Sequence, residues 1–145
     1  MGLFRAKIQP DEVAVQSLIA VLNKVDPDNP ITMKDVGEGV AVPIDGEEIV
    51  YFSPHELPAD SPSNVKGASI YCWRVLCPAS GDRAKDLEMV NQFNGLNCFL
   101  RFSVREDEII IDISWPAEIF STDLFEDTLS QMNSMSKEML LGLNQ

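Results

Sequence analysis

The sequence predicts an α+β domain in which helices cover an antiparallel sheet. Residues 97–115 alternate apolar and polar side chains on either side of an acidic turn, as a β-hairpin does. Asp45-Gly46 is a second strong hairpin signal between two extended stretches. By contrast, stretches 10–25 and 122–143 repeat apolar residues at intervals of three and four, which favours amphipathic helices.

The first helix is predicted to open at Pro10, since proline suits the first turn of a helix. Its apolar stripe repeats at helical spacing and consists of Val15, Leu18, Ile19, Leu22 and Val25. The turn residues 26–30 end this helix, and the extended pattern over 31–53 predicts two strands. The stretch 53–64 is rich in proline and serine, so we expect it to form a loop.

The stretch from Ser69 to Cys77 is predicted to be a third strand with two apolar faces. One face carries Tyr71, Trp73 and Val75. The other face carries Ile70, Cys72, Arg74 and Leu76. Such a strand is either central in its sheet or presents its second face to a partner. Tyr71 and Trp73 are therefore candidate protein-binding residues, and the pattern leaves open whether they belong to the core or to an interface.

A second helix is predicted from Asp82 to Asn94-Gly95, where glycine accepts the left-handed conformation of a helix C-cap. The hairpin 97–115 follows, and a final helix is predicted over 122–143. The predicted order of elements is α-β-β-β-α-β-β-α.

The final helix is rich in methionine. Its predicted inner face consists of Phe125, Leu129, Met132, Met139, Leu140 and Leu143. Met135 widens this face on one side. Because methionine suits adaptable contact surfaces, Met132, Met135 and Met139 are candidate protein-binding residues. The alternative is that this flank packs on the sheet.

The chain has 145 residues, which predicts one domain over 1–145. Residues 1–9 are expected to be poorly ordered unless they dock. The N-terminus lacks the apolar segment of a signal peptide, and the uncharged runs are too short to span a bilayer. We therefore expect a cytoplasmic protein with no membrane partner.

The net charge of −12 is large for a small domain and argues against nucleic acid as a partner, because phosphates would be repelled. The charge is uneven along the chain. Residues 1–60 carry four basic and eleven acidic side chains, residues 61–105 carry six and three, and residues 106–145 carry one and nine. This acidity is typical of a solvated surface that keeps the protein soluble; if it serves a partner, a basic protein or basic segment is favoured.

Catalytic, metal and cofactor sites are not predicted. The three cysteines, Cys72, Cys77 and Cys98, form no CxxC pair, and His55 is the single histidine, so no zinc site can be assembled. The acidic clusters fall in predicted turns or at the opening of a helix, where water solvates them.

The region from Leu87 to Leu129, together with the order of elements, resembles the YbjN family. Residues 87–94 (LEMVNQFN) match the family's two asparagines around an aromatic residue at the end of the second helix. The hairpin segments 99–102 and 108–112 and the acidic start of the last helix extend the match. Trp73 resembles an aromatic residue of the third strand in one branch of the family.

This resemblance implies the fold of type III secretion chaperones. It also implies a non-enzymatic protein of a family described as sensory-transduction or stress-related regulators. Relatives with this fold bind extended segments of other proteins, often as dimers, so the resemblance favours a protein partner and a homodimer through the second helix or a strand edge. The turn Glu106-Asp107 departs from the Asp-Gly common in the family, which changes the turn but not the architecture.

Three functional hypotheses remain. The leading one is a chaperone-like or regulatory protein-binding module. A small-ligand-binding protein or an enzyme would need a deep pocket with convergent polar groups. An acidic inhibitor or mimic that binds a basic protein would need a contiguous acidic face.

Overall fold

The computed structural model describes residues 12–36, 39–44, 48–57, 67–96 and 100–143. Its helices are α1 (Glu12–Val25), α2 (Met33–Val36), α3 (Arg83–Leu96) and α4 (Thr122–Leu143), with a short 3₁₀ helix at Ala117–Ile119. Its strands are β1 (Val40–Ile44), β2 (Glu48–Leu57), β3 (Gly67–Pro78), β4 (Arg101–Arg105) and β5 (Glu108–Pro116). Apart from the added α2 and 3₁₀ turn, this order confirms the α-β-β-β-α-β-β-α prediction.

The five strands form one antiparallel sheet in the order β1-β2-β3-β5-β4. Strand β3 lies in the middle and pairs with β2 on one side and β5 on the other. This position confirms that the strand predicted over 69–77 is central. A register shift between Val75 and Cys77 marks a bulge in the β3–β5 pairing.

The core lies between one face of the sheet and the helices α1 and α4. Phe52 of β2 is fully buried there and packs on Phe125 of α4, with ring centroids 4.9 Å apart. The stripe of α1 is turned slightly from the predicted one, since Ala14 and Val21 are buried and Val25 is exposed. The hydroxyl of Ser17 also donates to the Ala117 carbonyl at 2.8 Å, which fixes α1 to the 3₁₀ turn.

Helix α3 packs against the edge strand β4, where the Phe93 and Phe102 ring centroids lie 5.4 Å apart. The Asn94 amide accepts from the Phe102 N–H at 2.7 Å and donates to the Phe102 carbonyl at 2.9 Å. The predicted C-cap at Asn94-Gly95 is wrong, because α3 continues to Leu96 and Gly95 lacks a positive φ. The side chain of Asn94 is hydrogen-bonded to the backbone of β4 and does not cap helix α3.

Two local predictions before β3 are corrected. Residues 33–36 form the helical turn α2 within the stretch predicted to be extended, because Asp35 accepts from both the N–H and the hydroxyl of Thr32. Strand β2 runs on to Leu57, so the predicted loop begins later than residue 53. Pairing with β3 carries β2 through Pro54, which lies beyond the end of β1 and has no ladder bond to lose there.

Several predictions fall outside the described residues. These are the tail 1–9, the Asp45-Gly46 turn, residues 58–64 of the predicted loop and Cys98. The β4–β5 turn is described, and Glu106 adopts a φ of 53° there. Left-handed backbone is the conformation that a two-residue hairpin turn requires, so the predicted turn at 106–107 is confirmed.

Candidate protein-binding face

The two sides of the sheet have different surroundings. We call the side that packs on α1 and α4 the helix-covered face; it carries Phe52, Ile70, Cys72, Phe102 and Ile111, all at most 1% exposed. Because side chains alternate along a strand, the residues between them belong to the opposite side. We call that side the open face, and it carries Tyr51, Tyr71, Trp73, Arg101, Arg105 and Asp112.

A single row of paired residues crosses all five strands of the open face. It runs Ala41, Tyr51, Trp73, Asp112 and Arg101. The Tyr51 and Trp73 rings stack with centroids 4.6 Å apart and planes inclined by 22°. Tyr51 is 37% exposed and Trp73 is half-buried, so the pair forms an accessible aromatic platform.

Asp112 lies beside this platform and is 1% exposed. Tyr71 donates its hydroxyl to Oδ2 of Asp112 at 2.5 Å. Arg101 donates from Nε to Oδ1 at 3.0 Å and from Nη2 to Oδ2 at 3.1 Å, and Arg105 donates from Nη2 to Oδ2 at 3.0 Å. The carboxylate on β5 therefore accepts from donors on two neighbouring strands, β3 and β4, as a buried charge requires.

The cluster shifts the protonation equilibria of its members. Partial burial, together with the hydrogen bond to the Asp112 carboxylate, raises the pKa of Tyr71 well above its ordinary value. The Asp112 hydrogen bonds raise the pKa of Arg101 in the same way. Tyr71 therefore remains a neutral donor and Arg101 a cation over the whole physiological range.

The two arginines differ from Asp112 in their exposure. The Arg101 side chain is 59% exposed and that of Arg105 is 48% exposed, although both bind a carboxylate that is almost completely buried. Asp112 thus positions two accessible guanidinium groups next to an aromatic pair. Aromatic and arginine side chains are the types that most often carry the energy of protein–protein contacts.

The five residues predicted to bind a partner do not form one surface. Tyr71 and Trp73 lie together on the open face. Met132 is fully buried in the core, so its side chain is not accessible to a partner. Met135 is half-buried and packs on the same core. Met139 belongs to α4, and its side chain lies outside the described part of the chain.

Sequence reasoning did not identify Tyr51, Arg101, Arg105 or Asp112 as parts of this surface. One signal was available in β5, where Asp112 interrupts a run of four isoleucines and so marks a buried polar site. Arg101 and Arg105 are an even number of residues apart on β4, so their side chains lie on the same face of the sheet. Only the strand order β3-β5-β4 shows that this face is also that of Trp73.

A shallow groove on α3 has a volume of about 280 Å³ and is lined by Lys85, Glu88, Met89, Gln92 and Phe93. These residues all belong to one helix, and the polar ones are exposed, so the groove lacks the enclosure of a typical small-molecule site. No cluster of potential metal ligands occurs among the residues described. Within the same residues, no helix has the length and apolarity needed to cross a bilayer.

Comparison with solved structures identifies the fold. The chain is similar to the Yersinia pestis type III secretion chaperone SycH, crystallised in complex with a stable fragment of YscM2. The TM-score is 0.59 at 13% sequence identity, over 86% of this chain and 98% of the other. It is also similar to a chain of the ExsC–ExsE complex, with a TM-score of 0.52 at 13% identity, over 84% and 86% of the two chains. The fold is therefore that of type III secretion chaperones, as predicted.

At the level of sequence, no protein-family model matches the chain, and no curated protein matches it. The predicted fold is thus supported by structural comparison, and the relation to the YbjN family stays a prediction from residues 87–129.

Proposed function

We propose that this protein is a non-enzymatic, chaperone-like or regulatory module that holds a segment of a protein partner on the open face of its sheet. The observation that carries the proposal is the stacked pair Tyr51–Trp73, which remains accessible while the other side of the same strands is fully buried. Leaving an aromatic pair in contact with water at the centre of a sheet costs free energy, unless a partner covers the pair.

The fold supports this proposal. Both similar structures are complexes with a second protein, SycH with a fragment of YscM2 and ExsC with ExsE. Because fold alone does not determine function, the argument depends on the surface of this chain. That surface combines an aromatic platform with positioned arginines, which is the composition of a protein-binding site.

We infer further that the protein acts in the cytoplasm as a YbjN-type regulator and that it forms a homodimer. For the dimer, the edge strand β1 contains Pro43, which lacks a backbone N–H and weakens edge-to-edge pairing. Helix α3 is the better candidate, because its Leu87 is a large apolar side chain that is 39% exposed. Sedimentation of the wild type beside Leu87→Glu tests this assignment.

Affinity capture tests the main proposal. A tagged protein is purified from its native cells as wild type, Trp73→Ala and Ile119→Ala. Ile119 is a matched control because it is an exposed apolar residue of the 3₁₀ turn, away from the open face. We expect one protein to be recovered in stoichiometric amount with the wild type and with Ile119→Ala, and to be lost with Trp73→Ala.

Circular dichroism must show that Trp73→Ala is folded, so that lost capture reports a lost surface. Binding of the purified partner to the purified protein then confirms a direct interaction. Equal capture by the wild type and Trp73→Ala would show that the partner does not bind through the open face. Recovery of a bound small molecule in place of a protein would favour the ligand-binding alternative.

A further inference from the structure

We propose that the open face is specific for an acidic partner segment, in which a carboxylate side chain binds Arg101 and Arg105 beside an apolar residue on the Tyr51–Trp73 platform. This inference rests on the proposed function and adds the chemistry of the partner. The net charge of the whole chain, −12, would instead suggest a basic partner.

The first argument is the number of unused donors. A guanidinium has five N–H donors in a planar fork. Arg101 uses two nitrogens for Asp112, and Arg105 uses one. The Tyr71 hydroxyl also interacts with both guanidinium groups, yet both arginine side chains remain about half exposed. Donors therefore remain on both arginines for an incoming acceptor, and a carboxylate fits them best.

The second argument is positional. Asp112 holds Arg101 through two nitrogens, which fixes the guanidinium and lowers the conformational entropy lost on binding. The direct neighbours of Asp112 in the cross-strand row are Trp73 and Arg101. A segment that contacts Trp73 with an apolar side chain therefore has the arginines within reach of its adjacent residues. The site is prepared for an apolar residue next to an acidic one.

The third argument is the local charge. Within the Asp112 cluster, two guanidinium groups outweigh one carboxylate. Residues 61–105, which contain both arginines, have six basic and three acidic side chains, whereas the flanking regions are strongly acidic. Charges farther away than about 8 Å are largely screened at physiological ionic strength, so the charges next to the arginines matter more than the net charge of the chain.

Three exposed acidic residues in and beside the β4–β5 turn, Glu106, Asp107 and Glu108, oppose this attraction. Glu108 lies directly opposite Arg105 in the β4–β5 register and is exposed. It forms no ion pair with Arg105 among the described contacts. The Glu108 carboxylate therefore repels an incoming carboxylate near Arg105. Neutralising Glu108 is expected to strengthen the binding of an acidic segment.

A library of random peptides displayed on phage, selected against the purified protein, tests the proposal without knowledge of the partner. Selection on the wild type is expected to enrich peptides with Asp or Glu next to an aromatic or aliphatic residue. A selected peptide is then synthesised with its acid intact and with the acid changed to the amide. The amide peptide is expected to bind about tenfold more weakly, the loss typical of a charge-assisted hydrogen bond.

Variants assign the effect to the arginines. Arg105→Gln is the mildest change, since Arg105 provides only one of the bonds to Asp112. With this variant, the acidic and amide peptides should bind with nearly equal affinity, whereas Arg105→Lys should retain part of the difference. Glu108→Gln leaves the whole Asp112 cluster in place and should bind the acidic peptide about twofold to fivefold more tightly, as expected for removal of a like charge.

The outcomes separate this inference from the proposed function. Enrichment of basic peptides, or an acidic preference that Arg105→Gln and Glu108→Gln leave unchanged, would overturn the acidic-segment proposal. Binding that Trp73→Ala abolishes but that shows no acid dependence would keep the open face as a binding surface and reject its specificity. A dimer that dissociates in Arg105→Gln would show that a second copy of the chain occupies the face, which would also overturn it.

Discussion

The helix-covered face and the open face are built from the same five strands, but they differ in which side chains are buried and in what covers them. On the helix-covered face, Phe52, Ile70 and Ile111 are sealed beneath α1 and α4. On the open face, the most deeply buried charge, Asp112, is covered mainly by long polar side chains that are themselves accessible. The first face provides stability, and we propose that the second positions groups for contact with another molecule.

The comparison also shows why a strand that is apolar on both sides is ambiguous. Strand β3 is central, which fully accounts for the burial of Ile70 and Cys72. Its other side carries Tyr71 and Trp73, amphipathic rings that tolerate partial exposure. Central position and a partner-binding face are therefore compatible in a single strand.

The largest expected effect is on the helix-covered face. Phe52→Ala should lower the free energy of unfolding by about 3–5 kcal/mol, because it leaves a cavity against Phe120 and Phe125. Trp73→Ala on the open face is the matched aromatic truncation and should cost about 1–2 kcal/mol. Urea denaturation measures both. Equal losses would contradict the division of the sheet into two different faces.

A smaller effect is expected at the buried carboxylate. Asp112→Ala should lower the free energy of unfolding by about 1–3 kcal/mol, because Tyr71 loses its acceptor while the exposed arginines regain water. Asp112→Asn retains the shape and one acceptor, so it should fall between Asp112→Ala and the wild type. If Asp112→Ala unfolded with wild-type stability, the cluster would not organise the open face.

Alkaline pH provides a more specific test of the same cluster. The pKa of Tyr71 is raised in the folded protein, so above pH 10 the unfolded chain releases this proton while the folded protein retains it. The stabilisation that Tyr71 contributes should therefore be complete and independent of pH below about pH 9, and it should decline above about pH 10. The slope is expected to be somewhat less than 1.4 kcal/mol per pH unit, since partial exposure screens the interaction.

Tyr71→Phe removes this proton and isolates its contribution. Chemical denaturation of the two proteins from pH 8 to 11 should show a steeper loss for the wild type than for Tyr71→Phe. Parallel pH profiles would contradict the Tyr71–Asp112 hydrogen bond.

The smallest expected effect lies at the turn that joins β4 and β5 and belongs to neither face. Glu106 has a φ of 53°, a conformation that costs L-residues energy and suits glycine. Glu106→Gly should raise the free energy of unfolding by about 0.5–1 kcal/mol, with no change in partner binding. A loss of stability in thermal denaturation would show that the Glu106 side chain has a role beyond the turn.

The sequence predicts the elements well where its signals are local. The period of α1 and α4, the hairpin β4–β5 and the two-sided β3 are all readable from neighbouring residues. It fails where a distant residue decides. Asn94 next to Gly95 is typical of a helix end, but the Phe102 backbone occupies its amide. Met132 suits either a core or a surface, and only the position of α4 on the sheet buries it.

The candidate face is harder still to predict, because it requires strand order. Tyr51, Trp73, Asp112 and Arg101 come from four strands, and their separation along the chain gives no sign that they form one row. The crossover that places β5 between β3 and β4 brings them together.

Site-specific photocrosslinking in native cells tests the central claim most directly. A benzoylphenylalanine is placed at position 49, where Ile49 is 38% exposed on the open face and leaves the Tyr51–Trp73 pair intact. A second protein carries it at position 119, where the more exposed Ile119, at 53%, lies on the 3₁₀ turn. The open-face account predicts a single partner adduct from position 49 and none from position 119. An adduct from position 119 alone would contradict it.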